Sequence, residues 1–209
     1  MSAEGAIRDG TPSGFYLIET LGYQPGQGAI RRDLHRSRLE RSARELGFPL
    51  EPHKFDSTVD RLAAGERPLR LRGTLDASGL LEATAAAFVP LPPDAVWRVA
   101  IAATRIYSGN AMIEHKISAR EIYEKARAEF PASEIDEVIL LNERGEVCEG
   151  TITNVFLHTG DAALATPALA CGLLPGVLRG HMIRKGQARE AILTSGDLRK
   201  ARMITMGNS

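Results

Sequence analysis

The sequence has 209 residues, of which 44% are hydrophobic and 25% are charged, values typical of a globular protein with a folded core. Lysine and arginine total 26, as do aspartate and glutamate, so the chain lacks the basic excess of a nucleic-acid-binding protein. No apolar stretch approaches the roughly 20 residues that a membrane-spanning helix needs. The two cysteines have no metal-site spacing. We therefore expect a reduced, cytoplasmic protein without nucleic-acid, membrane or metal partners.

The first half of the chain predicts a small α+β domain at residues 15–106, after a polar, flexible tail at residues 1–14. Pro25 and Gly26 indicate a hairpin turn, and Asp33 is positioned to cap a helix. The expected strands are residues 15–23, 68–74, 78–89 and 95–104, and the expected helices are residues 34–47 and 57–64. Because periodicity disappears around residues 105–116, we expect a linker there.

The second half, residues 107–209, predicts a barrel-like domain because many short strands are separated by tight turns and a few helices. Ser118 and Glu121 have the spacing of a capping box, which predicts a helix over residues 118–130. A further helix is expected after Pro175, and a short helix capped by Ser195 is expected near the end of the chain. The expected strands are residues 137–142, 146–158, 162–166, 190–193 and 202–206.

Two ionisable residues have surroundings that suggest chemistry. Lys116 ends the irregular segment just before a helix, where burial would lower its pKa and make it a nucleophile and a base. Glu149 lies in the strand-like stretch VCEGTITNVF, and a buried carboxylate needs a partner. Such a carboxylate can hold a proton on a ring nitrogen, as pyridoxal phosphate requires. The simpler alternatives are a surface lysine and a glutamate at the edge of a solvated hairpin.

Three other features suggest anion binding. Arg38 on the first helix offers a guanidinium fork, and the helix that begins near Gly176 offers unpaired backbone amides. The last residues, Gly207, Asn208 and Ser209, offer amide and hydroxyl groups. Each feature also has a plainer explanation: a solvated helix face, an ordinary helix start and a simple turn.

In this order, the segments IETL, HRSRL, HK before a helix, EGTITNVF, LLPGVLRG and GNS resemble the class IV aminotransferase family, also called the fold type IV pyridoxal-phosphate enzymes. The resemblance covers residues 15–209. It implies a D-amino-acid aminotransferase-like fold, with a small α/β N-terminal domain and a C-terminal pseudo-barrel that binds pyridoxal phosphate. The family includes branched-chain aminotransferases, D-amino-acid aminotransferases and 4-amino-4-deoxychorismate lyases.

The resemblance also implies roles for single residues. Lys116 matches the lysine that forms a Schiff base with the cofactor, and Glu149 matches the glutamate that pairs with the pyridine nitrogen. Arg38 matches the phosphate-binding arginine of the HxxRL motif. Asn154 matches an asparagine that we interpret as mainly structural. The remaining positions implied to contact the cofactor phosphate are the backbone at Gly176, Val177 and Leu178, together with Asn208 and Ser209.

Departures from the family patterns bear on the reaction. Leu178 stands where many relatives carry threonine, so only its backbone could bind the phosphate. Ala119 replaces an asparagine that lyases often carry before the arginine at position 120, and Glu121 replaces a tyrosine of branched-chain enzymes. The arginine and the missing tyrosine favour a 4-amino-4-deoxychorismate lyase, which releases pyruvate and gives p-aminobenzoate for folate synthesis.

Two alternatives to the lyase stay open. One is a class IV aminotransferase that acts on branched-chain or D-amino acids, and the other is a non-catalytic, degenerate relative, suggested by short ends. The resemblance implies a homodimer and a small-molecule amino substrate. Arg98, Arg105 and Tyr107 precede the lysine segment and are candidates to bind a substrate carboxylate, with a surface role as the alternative.

Overall fold

The structure is a computed structural model that describes residues 14–92 and 94–209. Apart from Gly14, the predicted N-terminal tail lies outside the described residues. The chain divides into two compact units. The first contains residues 14–92, 115–119 and Ser209, and the second contains residues 94–114 and 120–208. This division differs from the domain boundary expected after residue 106.

The first unit combines four strands and two helices. They are β1 (Leu17–Gln24), β2 (Gly28–Ala29), α1 (Arg32–Leu46), α2 (Lys54–Leu62), β3 (Leu69–Leu75) and β4 (Leu81–Ala87). The strands form an antiparallel sheet in the order β2-β1-β3-β4. The hairpin predicted at Pro25 and Gly26 is confirmed, because Tyr23 pairs with Ala29 on the other side of the turn. Alternate residues of β3 are buried, so this strand presents one face to the core, whereas the first three residues of β1 are all buried.

Residues with left-handed backbone angles flank helix α1. Arg31 precedes it with φ 52°, and Gly47 follows it with φ 74°. Glycine adopts this conformation without steric cost, which explains the helix end. The prediction that Asp33 caps the helix is wrong, because Arg31 holds the N-cap position and Asp33 lies in the first turn. A carboxylate there still complements the positive end of the helix dipole.

The second unit contains seven strands and three helices. They are β5 (Val99–Ile106), α3 (Glu121–Ala128), β6 (Glu137–Asn142), β7 (Val147–Gly150), β8 (Asn154–His158), β9 (Leu164–Pro167), α4 (Val177–Arg184), β10 (Ala188–Ala191), α5 (Ser195–Lys200) and β11 (Met203–Gly207). One sheet has the order β5-β6-β7, and the other has the order β10-β9-β8-β11. The mixed α and β architecture predicted from the sequence is confirmed, with these strands arranged in two sheets.

Strand β6 lies at the centre of the second unit. All six of its residues are buried, as expected for a strand that is covered on both faces. Strand β5 runs parallel to β6, with Val99 opposite Glu137. This pairing places β5 in the second unit, which is why the division of the chain falls before β5 and not after it.

Two predicted helix caps are wrong. Ser118 does not cap α3, because its hydroxyl accepts a hydrogen bond from the backbone amide of Tyr16 at 3.1 Å. Thr194, and not Ser195, caps α5 and forms a capping box with Asp197. At α5 the error concerns which hydroxyl is used, whereas Arg120 holds the N-cap position of α3 without a side-chain cap. Both helices form, and α3 is shorter than predicted.

Among the described residues, no helix is both long and apolar enough to cross a membrane. The same part of the chain contains no group of three or more histidine, cysteine, aspartate or glutamate side chains arranged to hold a metal ion.

Candidate functional site

Glu149, on strand β7 of the second unit, is a buried carboxylate with 4% of its surface exposed. Its Oε1 accepts hydrogen bonds from the hydroxyl of Tyr123 at 2.7 Å and from the amide of Leu174 at 3.1 Å. Its Oε2 lies 3.4 Å from Nδ2 of Asn154. These donors come from three separate segments, so the carboxylate is held in a fixed orientation.

Tyr123 on helix α3 positions Glu149. Burial, and then the nearby charge of Glu149, raise the pKa of the Tyr123 hydroxyl well above its ordinary value, so the hydroxyl keeps its proton and donates a hydrogen bond to the carboxylate. The guanidinium of Arg120 lies 4.6 Å from the centre of the Tyr123 ring and also donates to the carbonyl of Thr151. Arg120, the residue that favoured a lyase in the sequence, therefore contacts the tyrosine that donates to Glu149.

Asn154 links Glu149 to the start of helix α4. Its Nδ2 also donates to the carbonyl of Leu174 at 3.2 Å. A Cβ atom added at Gly176 would lie 1.8 Å from Oδ1 of Asn154, so only glycine fits at this position. These contacts hold the start of α4 beside Glu149, and the role of Asn154 in cofactor binding stays a prediction.

Glu137 shapes the turn that follows Glu149. Its carboxylate, 1% exposed, accepts hydrogen bonds from the hydroxyls of Thr151 and Thr153 and from the amides of Thr151 and Ile152. This turn interrupts the strand predicted at residues 146–158, so that prediction is wrong in part: β7 and β8 are separate strands.

The other predicted anion ligands of the second unit lie at the start of helix α4 and just after strand β11. Gly176 holds the N-cap position of α4, so no side chain caps this helix. Val177 and Leu178 lie in its first turn. Amides in this position suit an anion. Asn208 donates through Nδ2 to the carbonyl of Ile152 at 3.1 Å, which ties the chain after β11 to the turn that follows Glu149.

Lys116, in the first unit, is half-buried and is positioned by backbone hydrogen bonds to β1. Its carbonyl accepts from the amide of Ile18 at 2.8 Å, and Ile117 pairs with Leu17 as an isolated antiparallel bridge. The backbone of the lysine is therefore fixed beside a buried strand, and its role as nucleophile and base stays a prediction.

Arg38 does not stand alone as a phosphate-binding fork. Its Nε and Nη2 donate to the two carboxylate oxygens of Glu19 at 2.8 and 2.7 Å, and both side chains are buried. Burial by itself raises the pKa of Glu19, but the charge and hydrogen bonds of Arg38, with those of His35, outweigh it and leave this pKa below its ordinary value. Nη1 is the third nitrogen of Arg38, and a role for it in phosphate binding stays a prediction.

Ser209 belongs to the same group of residues. Its hydroxyl lies 3.0 Å from Nε2 of His35 and 3.3 Å from Nη1 of Arg31. His35 is buried, and its Nδ1 lies 2.7 Å from Glu19. We call Glu19, Arg31, His35, Arg38 and Ser209 the first-unit polar cluster. It carries more cationic than anionic side chains, which suits an anion.

The candidates for binding a substrate carboxylate have local partners or high exposure. Arg98 pairs with Asp136, and its side chain is 57% exposed. Arg105 donates to backbone carbonyls of its own strand, among them that of Ala103 at 2.8 Å. Tyr107 is 66% exposed. These observations give none of the three a defined binding site.

Four residues of the site were missed in the sequence: Glu19, Arg31, His35 and Tyr123. Glu19 lies in IETL between apolar residues, the same pattern that drew attention to Glu149, so the signal for it was present. The contacts of Tyr123 and Arg31 join residues that are 26 and 178 positions apart in the sequence, which no local pattern can show.

Comparison with known proteins places this chain in one family. The model for class IV amino-transferases matches residues 16–209. A crystal structure from Mesorhizobium loti, of a provisionally named amino-acid aminotransferase, is 46% identical and superposes with a TM-score of 0.89 over 93% of this chain and 95% of that one.

Two further relatives carry different names. A provisionally named aminodeoxychorismate lyase from Schizosaccharomyces pombe is 25% identical over 84% of this chain and 78% of its own length. A provisionally named branched-chain-amino-acid aminotransferase from Thermotoga maritima is 31% identical over 75% of this chain, and the match spans only 58% of that protein. Because the family model matches nearly all the described residues, including both groups of site residues, the chain belongs to the class IV aminotransferase family, whose members are generally pyridoxal-phosphate-dependent enzymes.

Proposed function

We propose that this protein binds pyridoxal phosphate and acts on the amino group of a small-molecule substrate. The observation that carries the proposal is the fixed, buried carboxylate of Glu149, which Tyr123, Leu174 and Asn154 orient. A buried carboxylate whose orientation is fixed by several donors is suited to hold a proton on the ring nitrogen of pyridoxal phosphate.

Each unit contains residues whose chemistry suits one part of this cofactor. Glu149 suits the ring nitrogen because each carboxylate oxygen can accept more than one hydrogen bond, and Asn154, Tyr123 and Leu174 fix its orientation. The first-unit polar cluster suits the phosphate because it contains two arginines and a serine hydroxyl. Backbone amides at the start of α4 offer further anion ligands. The predicted cofactor-binding roles of these residues are part of the proposal.

When bound, the cofactor supplies an aldehyde that condenses with amines and a ring that accepts electrons. The protein supplies the proton transfers. We propose that Nζ of Lys116, in its neutral form, takes a proton from the substrate carbon that bears the amino group and later returns one. Glu149 keeps the proton on the ring nitrogen in place. The phosphate ligands hold the cofactor in one orientation, so the base acts at a fixed position.

We propose the lyase reaction first: release of pyruvate from 4-amino-4-deoxychorismate to give p-aminobenzoate. The lyase-like Arg120, the glutamate at position 121 and the relative from Schizosaccharomyces pombe support it. The second candidate is transamination, which the 46% identity to the Mesorhizobium loti aminotransferase favours.

A coupled assay distinguishes these reactions. Chorismate, ammonia and an ammonia-dependent synthase supply the lyase substrate, and p-aminobenzoate is measured. The lyase proposal predicts product formation that Lys116→Ala lowers by about a thousandfold or more, since one residue is both nucleophile and base. Lys125→Ala, at an exposed lysine of α3, is the matched control and should keep full activity.

Two other results would change the assignment. No p-aminobenzoate, together with glutamate consumption that depends on a keto acid, would indicate an aminotransferase. A colourless protein that takes up no pyridoxal phosphate would indicate a non-catalytic relative. We also propose that the protein is a cytoplasmic homodimer. Light scattering after gel filtration measures the molar mass and so tests the dimer.

A further inference from the structure

We propose that binding of a dianionic phosphate group at the first-unit polar cluster draws a proton from solvent onto His35. The hydroxyl of Ser209 is then able to donate a hydrogen bond to the anion. This inference rests on the proposed function, because it assumes that the cluster receives the phosphate of the cofactor. It goes beyond that function by assigning His35 and Arg31 to the site and by linking anion binding to proton uptake.

The carboxylate of Glu19 fixes the tautomer of His35. This carboxylate accepts two hydrogen bonds from Arg38 and lies 2.7 Å from Nδ1 of His35. An ionised carboxylate can only accept, so we assign the proton of the neutral imidazole to Nδ1. Nε2 of His35 is then an acceptor, and the hydroxyl 3.0 Å away, that of Ser209, is its donor.

The hydroxyl of Ser209 can donate only one hydrogen bond. With His35 neutral, the hydroxyl proton points to Nε2, while Nη1 of Arg31 donates to the serine oxygen. In this state the hydroxyl cannot donate to an anion. With a proton on Nε2, His35 becomes the donor to the serine oxygen, and the hydroxyl proton is available to the anion. The net change is binding of one dianion and one proton from solvent.

The charges around His35 favour this switch. Burial, together with the positive charges of Arg38 and Lys116, keeps the pKa of His35 below its ordinary value despite the carboxylate of Glu19. A dianion near Ser209 would offset these positive charges and raise that pKa. The side chains that act on His35 are thus Glu19, Arg38, Lys116 and Ser209, with Arg31 acting through Ser209.

Arg31 gives an independent indication that a ligand binds here. Its Nε is buried and has no hydrogen-bond partner among the described residues. It also holds the N-cap position of the 15-residue helix α1, with φ 52° and no side-chain cap. A buried guanidinium donor beside a helix N-terminus is suited to an anion and is costly without one.

Sulfate is the probe of choice because it stays dianionic across the neutral pH range. Isothermal titration calorimetry at pH 7 in two buffers with different ionisation enthalpies counts the protons taken up. We expect uptake approaching one proton, and an affinity that rises by up to about tenfold for each pH unit of acidification between the His35 pKa values of the unbound and bound states. Pyridoxamine phosphate serves as the second ligand.

Three variants separate the residues involved. His35→Gln should bind sulfate without proton uptake, and Ser209→Ala should reduce the uptake because the protonated imidazole loses its acceptor. His53→Gln, at an exposed histidine, should match the wild type. Imidazole ¹⁵N shifts of the wild-type protein during the titration report protonation of His35 directly, which keeps the test valid if His35→Gln does not fold.

Two results would overturn the inference. One is sulfate binding during which His35 stays neutral, and the other is no sulfate binding at all. In either case the proposed function stands if borohydride still attaches the cofactor to Lys116. If neither sulfate nor pyridoxamine phosphate binds and Lys116 is not labelled, both proposals fail.

Discussion

At the scale of single residues, the described part of the chain buries three glutamate carboxylates, those of Glu19, Glu137 and Glu149, and their partners differ. Arg38 neutralises Glu19 through two hydrogen bonds, whereas the neutral donors Tyr123, Leu174 and Asn154 orient Glu149. A carboxylate held by a buried arginine stabilises structure, because its charge is already balanced. The donors around Glu149 fix the orientation of its carboxylate, which the proposed role on a cofactor ring requires.

Tyr123→Phe tests whether Glu149 needs its hydroxyl partner. The change removes one donor and keeps the ring, so we expect folding to persist and the affinity for pyridoxal phosphate to fall by about tenfold, the effect of losing a hydrogen bond to a charged group. Titration of the apoprotein, followed by absorbance of the bound cofactor, measures this. Tyr107→Phe, at an exposed tyrosine, is the control. An unchanged affinity would show that the hydroxyl does not position Glu149.

Glu19→Gln tests the buried ion pair. The variant leaves Arg38 without its carboxylate, so the free energy of unfolding at pH 7 should fall by about 3–5 kcal/mol. Because the pKa of Glu19 is lower in the folded protein, its contribution is present at neutral pH and is lost as pH falls below about 4.5, the ordinary value. The loss of stability on acidification should therefore be smaller in the variant than in the wild type.

Urea unfolding at pH 7 and pH 4 measures both effects, with Glu82→Gln at an exposed position of β4 as the control. Equal stabilities of wild type and Glu19→Gln at pH 7 would mean that the pair contributes nothing to the folded state.

The sequence allowed the identity of several of these residues to be predicted but not their partners. Glu149 stood out because a charge in an apolar strand is unusual, and Arg38 stood out because it lies in the HxxRL motif. That Arg38 binds Glu19, 19 positions away, depends on how α1 packs on β1, which the local pattern does not contain.

At the scale of elements, the turn between β7 and β8 is the feature that the sequence concealed. The segment from 147 to 156 is rich in β-branched residues, which favours one continuous strand. Glu137 on β6 binds the threonine hydroxyls and amides of the turn and bends the chain there. A buried carboxylate on another strand thus overrides the local preference, and Glu149 and Asn154 come to lie on separate strands.

Gly176→Ala tests the close contact at the start of helix α4. An added Cβ would lie 1.8 Å from Asn154, so the side chain or the helix must move. We expect a loss of about 1–3 kcal/mol in the free energy of unfolding and weaker cofactor binding, measured by thermal unfolding and by cofactor titration. Gly180→Ala in the same helix has room for the methyl group and should stabilise by about 0.5–1 kcal/mol. Similar effects of the two changes would contradict the assigned role of Gly176.

At the scale of the whole molecule, the two compact units do not correspond to two halves of the sequence. Residues 115–119 and Ser209 belong to the first unit, although the residues around them belong to the second. The disappearance of periodicity from residue 105 could not show that the backbone of Lys116 bonds to β1, because that contact joins positions about a hundred residues apart.

The most direct test of the account is reduction of the holoprotein with borohydride, followed by mass spectrometry of its peptides. We predict a yellow protein whose cofactor becomes attached to Lys116 alone, and a Glu149→Gln variant that still folds but whose bound cofactor shows an altered absorbance spectrum. Attachment to another lysine, or a Glu149→Gln variant with an unchanged spectrum and full activity, would contradict the central claim that these two residues act on one cofactor.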